Sequence, residues 1–343
     1  MKGKVMSIIP IFIPHAGCPH QCVFCNQKKI SGQKTASAEA VRQQIEKYLH
    51  WIKPGKENEA AFYGGSFTGL DMELQEELFK PVDKLLQEGI IGSVRLSTRP
   101  DYIDEERLAL LKKHNVSTVE LGVQSLDDSV LELAGRGHNA ASVAKAVELL
   151  RAHGFKTGLQ LMCGMPGQTA KSFMATVAES IALKPDMVRL YPLLVIKDTP
   201  VKDTPLEETS RSGKFMPLGV EAAAELCAAA LQKFTGNGIN VIRIGLQPDD
   251  ELCSPGNIVA GPFHPAFGEI VKSMAVRNEL TPQIMALVNA GRSKIKIYVP
   301  QNMESKLRGQ HNSNIKCWQK MGACIEVIKT KNASIYLEDE NNE

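Results

Sequence analysis

The sequence predicts an α/β fold in which parallel strands are joined by helical crossovers, followed by a small α+β appendage. Three observations predict it. From Ile8 to about Ser273 one rhythm repeats: a short apolar run, a turn rich in Gly or polar residues, then a helical pattern, which is the signature of strand–helix–strand units. Apolar residues recur at helical spacing between the runs, as in Leu74, Leu78, Leu85 and in Leu108, Leu111, so each helix has a face to bury on a sheet. After about residue 280 the pattern changes to strand, helix and two further strands.

The predicted strands are Ile8 to Ile13, Ala60 to Tyr63, Val94 to Ser97, Thr118 to Val123, Thr157 to Cys163, Met187 to Leu190 and Val241 to Ile244. The predicted helices include Ala38 to Ile52, Glu73 to Gln87, Asp104 to Lys113 and Ser142 to Ala152. Parallel strands buried on both sides either close into a barrel or lie open in a doubly wound sheet, and in both cases ligands sit at the carboxyl ends of the strands. The polar and Gly-rich segments fall there: Tyr63-Gly64-Gly65-Ser66-Phe67, Thr98-Arg99-Pro100-Asp101, Gln124-Ser125 and Gly164-Met165-Pro166-Gly167-Gln168-Thr169 each follow a predicted strand. We place a first domain over residues 1–280 and a small βαββ module over 281–343. The module is expected to contain a strand over Lys294 to Val299, a helix over Ser305 to Lys320, and a terminal hairpin of Ile325 to Thr330 with Ala333 to Leu337, turning at Lys331-Asn332.

Charge narrows the function classes. The 343 residues carry 40 Lys and Arg against 38 Asp and Glu, a formal net charge of +2, which excludes a protein that coats polyanions with its whole surface. The bias is local: residues 291–331 hold nine Lys or Arg and two acids, Glu304 and Glu326. Lys306, Arg308 and Lys316 lie on or beside the predicted helix, Lys294 and Lys296 alternate on one strand face, and His311 and Trp318 would add stacking surface, although no strand pair rich in aromatics is visible. The longest apolar runs, Ser7 to Pro14 and Leu190 to Ile196, are far short of the ~20 residues that span a bilayer. The early strand and cysteine cluster leave no room for a signal peptide, so the chain is expected to be cytoplasmic.

Three of the eight cysteines stand within eight residues, in Cys18-Pro19-His20-Gln21-Cys22-Val23-Phe24-Cys25. In a large reduced protein a tight triplet reads as metal ligation rather than as a disulfide framework. A four-iron cubane held by three thiolates keeps one iron open for another ligand. A structural zinc completed by His15 or His20 is the alternative from the same residues. The remaining cysteines are scattered, and Cys253, beside Asp250 and Glu251, is read as structural.

The triplet, with an aromatic residue before its last cysteine, resembles the signature of the radical S-adenosylmethionine (SAM) enzymes. The resemblance covers roughly residues 8 to 273, and the order of further motifs agrees with it. Gly64-Gly65-Ser66 stands at the Gly-Gly strand end of the family, with Ser66 in place of an acid. Gln124 and Arg136 are spaced as in the subgroup of the coproporphyrinogen dehydrogenase, and Leu161 to Thr169 is similar to the fifth-strand motif, with Gln160 where relatives have Asp. Leu96 to Asp101, Glu120 to Ser125 and His264 to Glu269 most resemble the branch of the Elongator catalytic subunit, which modifies wobble uridine in tRNA. About seventy residues follow this region, too few for the acetyltransferase domain of that branch, so full carboxymethyl transfer is not expected.

The resemblance implies a partial TIM-like (β/α) barrel, a 4Fe-4S cluster on Cys18, Cys22 and Cys25, and SAM bound to its open iron. It implies SAM contacts from Phe24, Gly64, Gly65, Ser66, Ser97, Arg99, Gln124, Arg136 and Gln160, with Arg136 on the cofactor carboxylate. Reductive cleavage would give a 5'-deoxyadenosyl radical that activates a substrate C–H bond, with tRNA or another RNA as the possible substrate and a flavodoxin- or ferredoxin-type protein as one-electron reductant. Each residue also has a plain structural reading: Phe24 packing the loop, Gly64 and Gly65 making a turn, Arg136 in a solvated connection. His264, Arg243 and Gln247 are placed at the far rim, and Tyr191 is a candidate relay. The rival function is a non-catalytic iron–sulfur or zinc protein that binds RNA.

Overall fold

The structure is a computed structural model that describes residues 6–13, 18, 22–25, 36–197, 215–246 and 254–339. His15, His20, Gln247 and Cys253 lie outside the described residues. Seven strands form one sheet: β1 (Ile8–Phe12), β2 (Glu59–Tyr63), β3 (Ser93–Thr98), β4 (Val116–Gln124), β5 (Lys156–Cys163), β6 (Met187–Pro192) and β8 (Asn240–Ile244), in the spatial order β1-β2-β3-β4-β5-β6-β8. Every neighbouring pair is parallel. The crossovers are the helices α1 (Ala38–Leu49), α2 (Met72–Gln87), α3 (Glu105–Lys113), α4 (Asp128–Leu133), α5 (Ala140–Ala152), α6 (Ala170–Ala182) and α7 (Val220–Gly236). The result is an α/β half-barrel. A short antiparallel pair, β7 (Val195–Ile196) with β9 (Ile258–Ala260), adjoins it.

Period-two alternation divides the sheet into two chemically different faces. Ile9, Ile11, Phe62, Leu96, Val119, Leu121, Leu161 and Leu190 lie on the convex face and join the helices in one large apolar core. Phe62, Phe67 and Phe79 pack ring to ring there, at 4.7 to 5.6 Å between centroids. Helix starts are fixed locally, since Ser37, Asp104, Asn139 and Thr169 each accept a backbone N–H of the first turn. The concave face is polar. It is nonetheless buried, as at Glu59, Arg95, Thr118 and Glu120.

The C-terminal segment differs from the expected hairpin. Its strands β10 (Lys294–Pro300), β11 (Cys324–Thr330) and β12 (Tyr336–Asp339) have the order β11-β10-β12, with β10 parallel to β11 and antiparallel to β12. β10 takes the centre because Ile295, Ile297 and Val299 are its apolar alternate residues and are buried. The expected single helix is two, α9 (Glu304–Arg308) and α10 (Ser313–Lys320), separated at Gly309, His311 and Asn312, all at positive φ. Trp318 was expected to offer stacking surface, but it is fully buried, and its indole N–H donates to Thr281 at 2.9 Å. The helix α8 (Phe267–Asn289) contributes Val271 and Met274 to the barrel core, and Val276, Leu280 and Ile284 to the core beneath the small sheet.

An aromatic pair not foreseen in the sequence lies on the other side of that sheet: Tyr298 and Tyr336, opposite each other on β10 and β12, stack at 4.6 Å with rings 3° from parallel.

Among the described residues no helix is long and apolar enough to cross a membrane.

Replacing Trp318 by Ala removes the largest side chain of the small core and is expected to cost about 3–5 kcal/mol. Hydrogen exchange should accelerate in β10 and α10 and stay unchanged in β4 and β5.

Candidate active site

The cysteine turn is docked on the barrel by its backbone. Val23 N–H donates to Ala134 O at 3.1 Å, and Cys25 N–H to Cys22 O at 3.0 Å, which fixes the turn against the end of α4. Phe24 packs on the small apolar cluster that includes Val130, Ala134, Met162 and Met165. Cys18 and Cys25 are partly exposed and Cys22 is buried; none is in a disulfide. Among the described residues no three His, Cys, Asp or Glu side chains are drawn together as a metal-ion site.

The chain reverses sharply after α4, and this places Arg136. Gly135 (φ +64°) and Gly137 (φ +70°) flank it in the left-handed region, where glycine adopts the backbone without a Cβ clash. Arg136 is buried, with Nη1–H donating to Cys22 Sγ at 3.2 Å and Nη2–H to the carbonyl of Gly122. Its guanidinium carbon is 6.0 Å from the centre of the Phe24 ring. Arg136 is therefore not a solvated connection: residues 114 positions apart meet at the rim. Its Nε has no partner among the described residues.

The other expected residues sort by where their polar atoms go. Ser66 is buried, its hydroxyl 3.0 Å from that of Thr98 and accepting Arg99 N–H at 3.3 Å. Its side chain is tied into the fold, and the Gly64-Gly65 main chain lies beside it, with Gly64 at φ +100°. Arg99 forks onto Asp101, Nε and Nη2 each at 2.9 Å, and also donates to the carbonyl of Arg136; it braces the Arg136 turn. Gln124 ends β4 at φ +68°, at a register shift between Gly122 and Gln124. Such a conformation is costly for a residue with a side chain. Gln160 meets it, Nε2 to Oε1 at 3.3 Å. Ser97 is half-buried and pairs in register with Glu120. His264 accepts Ala266 N–H at 3.0 Å and caps the start of α8.

Electrostatics follow from this packing. Burial pushes the Cys18 thiol up, with Arg99 and Arg136 opposing. His138, two residues after Arg136, is buried, and burial together with Arg136 and Arg99 lowers its pKa to about 3.

The sequence reasoning missed the concave floor. Glu59, Arg95, Glu120 and Arg189 form a buried ion-pair chain there: Arg95 bonds Glu59 at 2.7 Å and Glu120 at 3.0 Å, and Arg189 meets both oxygens of Glu120. Arg189 also reaches the Tyr63 and Tyr191 hydroxyls, at 3.0 and 3.3 Å. Gly158 makes the space, since a Cβ there would stand 3.0 Å from Glu120 Cγ. The signal was present: Arg95, Glu120 and Arg189 each stand alone between two apolar residues of a strand.

Because His138 is neutral in the fold while the unfolded chain binds its proton below about pH 6.5, stability should fall as pH drops from there toward 3, by up to ~1.4 kcal/mol per pH unit. Urea unfolding of wild-type and His138→Asn proteins across this range should show a shallower acid slope in the variant.

Comparison with known proteins agrees with this geometry. The family model described as "Radical SAM superfamily" matches residues 12–179, and that described as "Radical_SAM C-terminal domain" matches residues 185–277. A tRNA uridine(34) acetyltransferase of Methanocaldococcus infernus is 28% identical over 269 residues, covering 66% of this chain and 49% of that protein. An uncharacterised protein of Methanocaldococcus jannaschii is 31% identical over 229 residues, covering 63% of this chain and 68% of that one. Among solved structures, Methanocaldococcus infernus Elp3 with an N-terminal deletion aligns with a TM-score of 0.62 at 24% identity, over 80% of this chain and 63% of that one. This chain spans about half the length of the tRNA uridine(34) acetyltransferases it matches. From the two family matches, over residues 12–179 and 185–277, the chain belongs to the radical SAM superfamily.

Proposed function

We propose that the chain holds a 4Fe-4S cluster on Cys18, Cys22 and Cys25 and SAM at the rim of the half-barrel, and that it activates a C–H bond for modification of an RNA substrate. Held there by the three thiolates, a reduced cluster would supply the single electron for reductive cleavage of the SAM C–S bond, the chemistry that would let the site take a hydrogen atom from its substrate. The observation that carries the reading is the Arg136 guanidinium at Cys22 Sγ. It places a carboxylate-binding fork beside the thiolate loop, and its unpartnered Nε fits a ligand acceptor. The Gly64-Gly65 main chain, Gln124 and Gln160 line the same rim, Phe24 packs over the turn, and Arg99 and Ser66 hold the rim in shape. Ser97, half-buried near the end of β3, is the residue we assign to a ribose hydroxyl. Electrons come from a flavodoxin- or ferredoxin-type protein.

Two features support an RNA substrate. One is the basic stretch of residues 291–331; the other is the Tyr298–Tyr336 stack beside Lys294 and Lys296 on the same strand face. Base–aromatic stacking with nearby cations is how sequence-tolerant RNA contacts are made. The tRNA uridine(34) acetyltransferases among its relatives point to tRNA.

Protein purified anaerobically should carry close to one 4Fe-4S cluster per chain and form 5'-deoxyadenosine when dithionite and SAM are added. One zinc per chain with no visible absorbance overturns the reading. Cys18→Ala, Cys22→Ala or Cys25→Ala should abolish the cluster, whereas Cys317→Ala should not. Arg136→Ala should keep the cluster and weaken SAM binding roughly thirty- to a hundredfold, the loss for a charge-assisted bond.

Tyr298→Ala and Tyr336→Ala should each lower affinity for total tRNA at least about fivefold and leave 5'-deoxyadenosine formation without RNA unchanged. Filter binding over a salt series measures the first effect and chromatography the second.

A further inference from the structure

The end of the half-barrel opposite the rim carries a patch that the cofactor site does not use. α1 runs on past Leu49 in a turn, Trp51 N–H donating to Tyr48 O at 3.0 Å. Leu49 and Ile52 pack on the barrel core, so Trp51 between them faces outward. It is 78% exposed, and Tyr48, three residues earlier on the same side, is exposed too. The rings of His50 and Trp51 lie 4.6 Å apart. An indole left in water adds little to the fold, because its stabilising effect comes from burying the ring.

Three exposed lysines accompany the ring, Lys47, Lys53 and Lys56. Residues 47–56 include no acid, although Glu46 and Glu57 border them. Among the described residues no carboxylate pairs with any of the three lysines. The turn that presents Lys53 and Lys56 is held by its backbone. Asn58, buried, donates from Nδ2 to Lys53 O at 2.8 Å and to Ile90 O at 3.0 Å, and accepts Ser7 N–H at 3.1 Å. Gly55 N–H donates to Ile90 O at 3.2 Å, and Gly92 leaves no room for a Cβ against Lys56 O, so the turn lies flat on the chain before β3. The patch is separate from the SAM rim: it precedes β2, whose five residues at about 3.3 Å each put roughly 16 Å between them.

Charge indicates what lands there. Residues 1–56 hold nine Lys or Arg against Glu39 and Glu46, whereas residues 57–290 hold 22 against 30 acids. Cations are thus in excess at this end of the sequence as they are in residues 291–331. An exposed ring among unpaired ammonium groups matches a ligand that alternates anions with flat rings, which is a nucleic-acid strand: phosphates meet the lysines and a base stacks on the indole. An acidic peptide would meet the lysines and leave the indole in water. We infer that Trp51 with Lys47, Lys53 and Lys56 is a second RNA-docking surface, which grips a single-stranded stretch of the RNA remote from the nucleotide at the rim. The inference rests on the RNA reading proposed above and adds to it a contact outside the mouth of the half-barrel.

The test uses the cluster-loaded full chain, total tRNA, and vesicles of phosphatidylglycerol and phosphatidylcholine as an anionic surface without bases. Trp51→Ala should lower tRNA affinity at least about fivefold, the size of one lost base stack, and Trp51→Phe, which keeps a ring, should recover most of it. Lys53→Gln combined with Lys56→Gln should flatten the slope of log affinity against log salt by about 0.7 for each lysine. Cluster content and thermal midpoint should match the wild type in all of them, because the three side chains are exposed. If Trp51→Ala binds tRNA as the wild type does, the assignment fails, and the RNA reading then stands or falls with Tyr298→Ala and Tyr336→Ala. Vesicle binding that depends on Trp51, with tRNA affinity unchanged, overturns it in favour of a lipid surface. Equal losses in Trp51→Ala and Trp51→Phe overturn the stacking role. If wild-type protein binds no tRNA, the RNA reading fails and takes the assignment with it.

Discussion

Glu120 is the interaction on which the concave face depends. It stands in the middle strand of the seven, 4% exposed, and takes one guanidinium from β3 and another from β6. A buried carboxylate of this kind is tolerable only because both arginines satisfy it; removing it would leave Arg189 without an anion and Arg95 with Glu59 alone. A hydrophobic filling would hold the strands as well. What the ionic filling adds is direction, because a guanidinium fork fixes the atoms it touches. The convex face supplies cohesion through apolar contact, the concave face supplies orientation, and one sheet serves both because its side chains alternate.

Much of this was legible in the sequence. All seven strands of the large sheet stand within two residues of their expected ends, since apolar runs between Gly-rich turns leave few alternatives for a parallel sheet. Motif order set Arg136 and the cysteine loop on one rim, while the contact of Arg136 with Cys22 and the reversal at its flanking glycines came from the structure. The floor was missed because the strands were read as uniformly apolar, although single charges at Arg95, Glu120 and Arg189 interrupt them at alternating positions. The role of Arg99 as a brace was not legible either. Its partners are Asp101, close in sequence, and the carbonyl of residue 136, and a backbone acceptor leaves no sequence trace.

The small C-terminal sheet shows a different limit. Its strand segments were readable, but pairing was not, because two strands joined by a short turn look like a hairpin whichever neighbour each takes. The deciding feature is that Ile295, Ile297 and Val299 are buried between the sheet and its helices; the most apolar strand goes to the centre. The break at Gly309 was also visible in principle, since glycine followed by Gln-His-Asn is a poor helix interior.

The helix over Phe267–Asn289 belongs to both hydrophobic cores. At 1.5 Å per residue its 23 residues make a rod of about 35 Å. Its hydrogen-bond ladder is interrupted once, at Pro282, which has no N–H to give. Force or displacement applied at the small sheet, for instance by a bulky polymer landing on it, reaches the half-barrel through this helix, which packs in both cores, rather than through a linker. The two lobes thus share one structural element, and a ligand held on one is tied through it to the rim of the other.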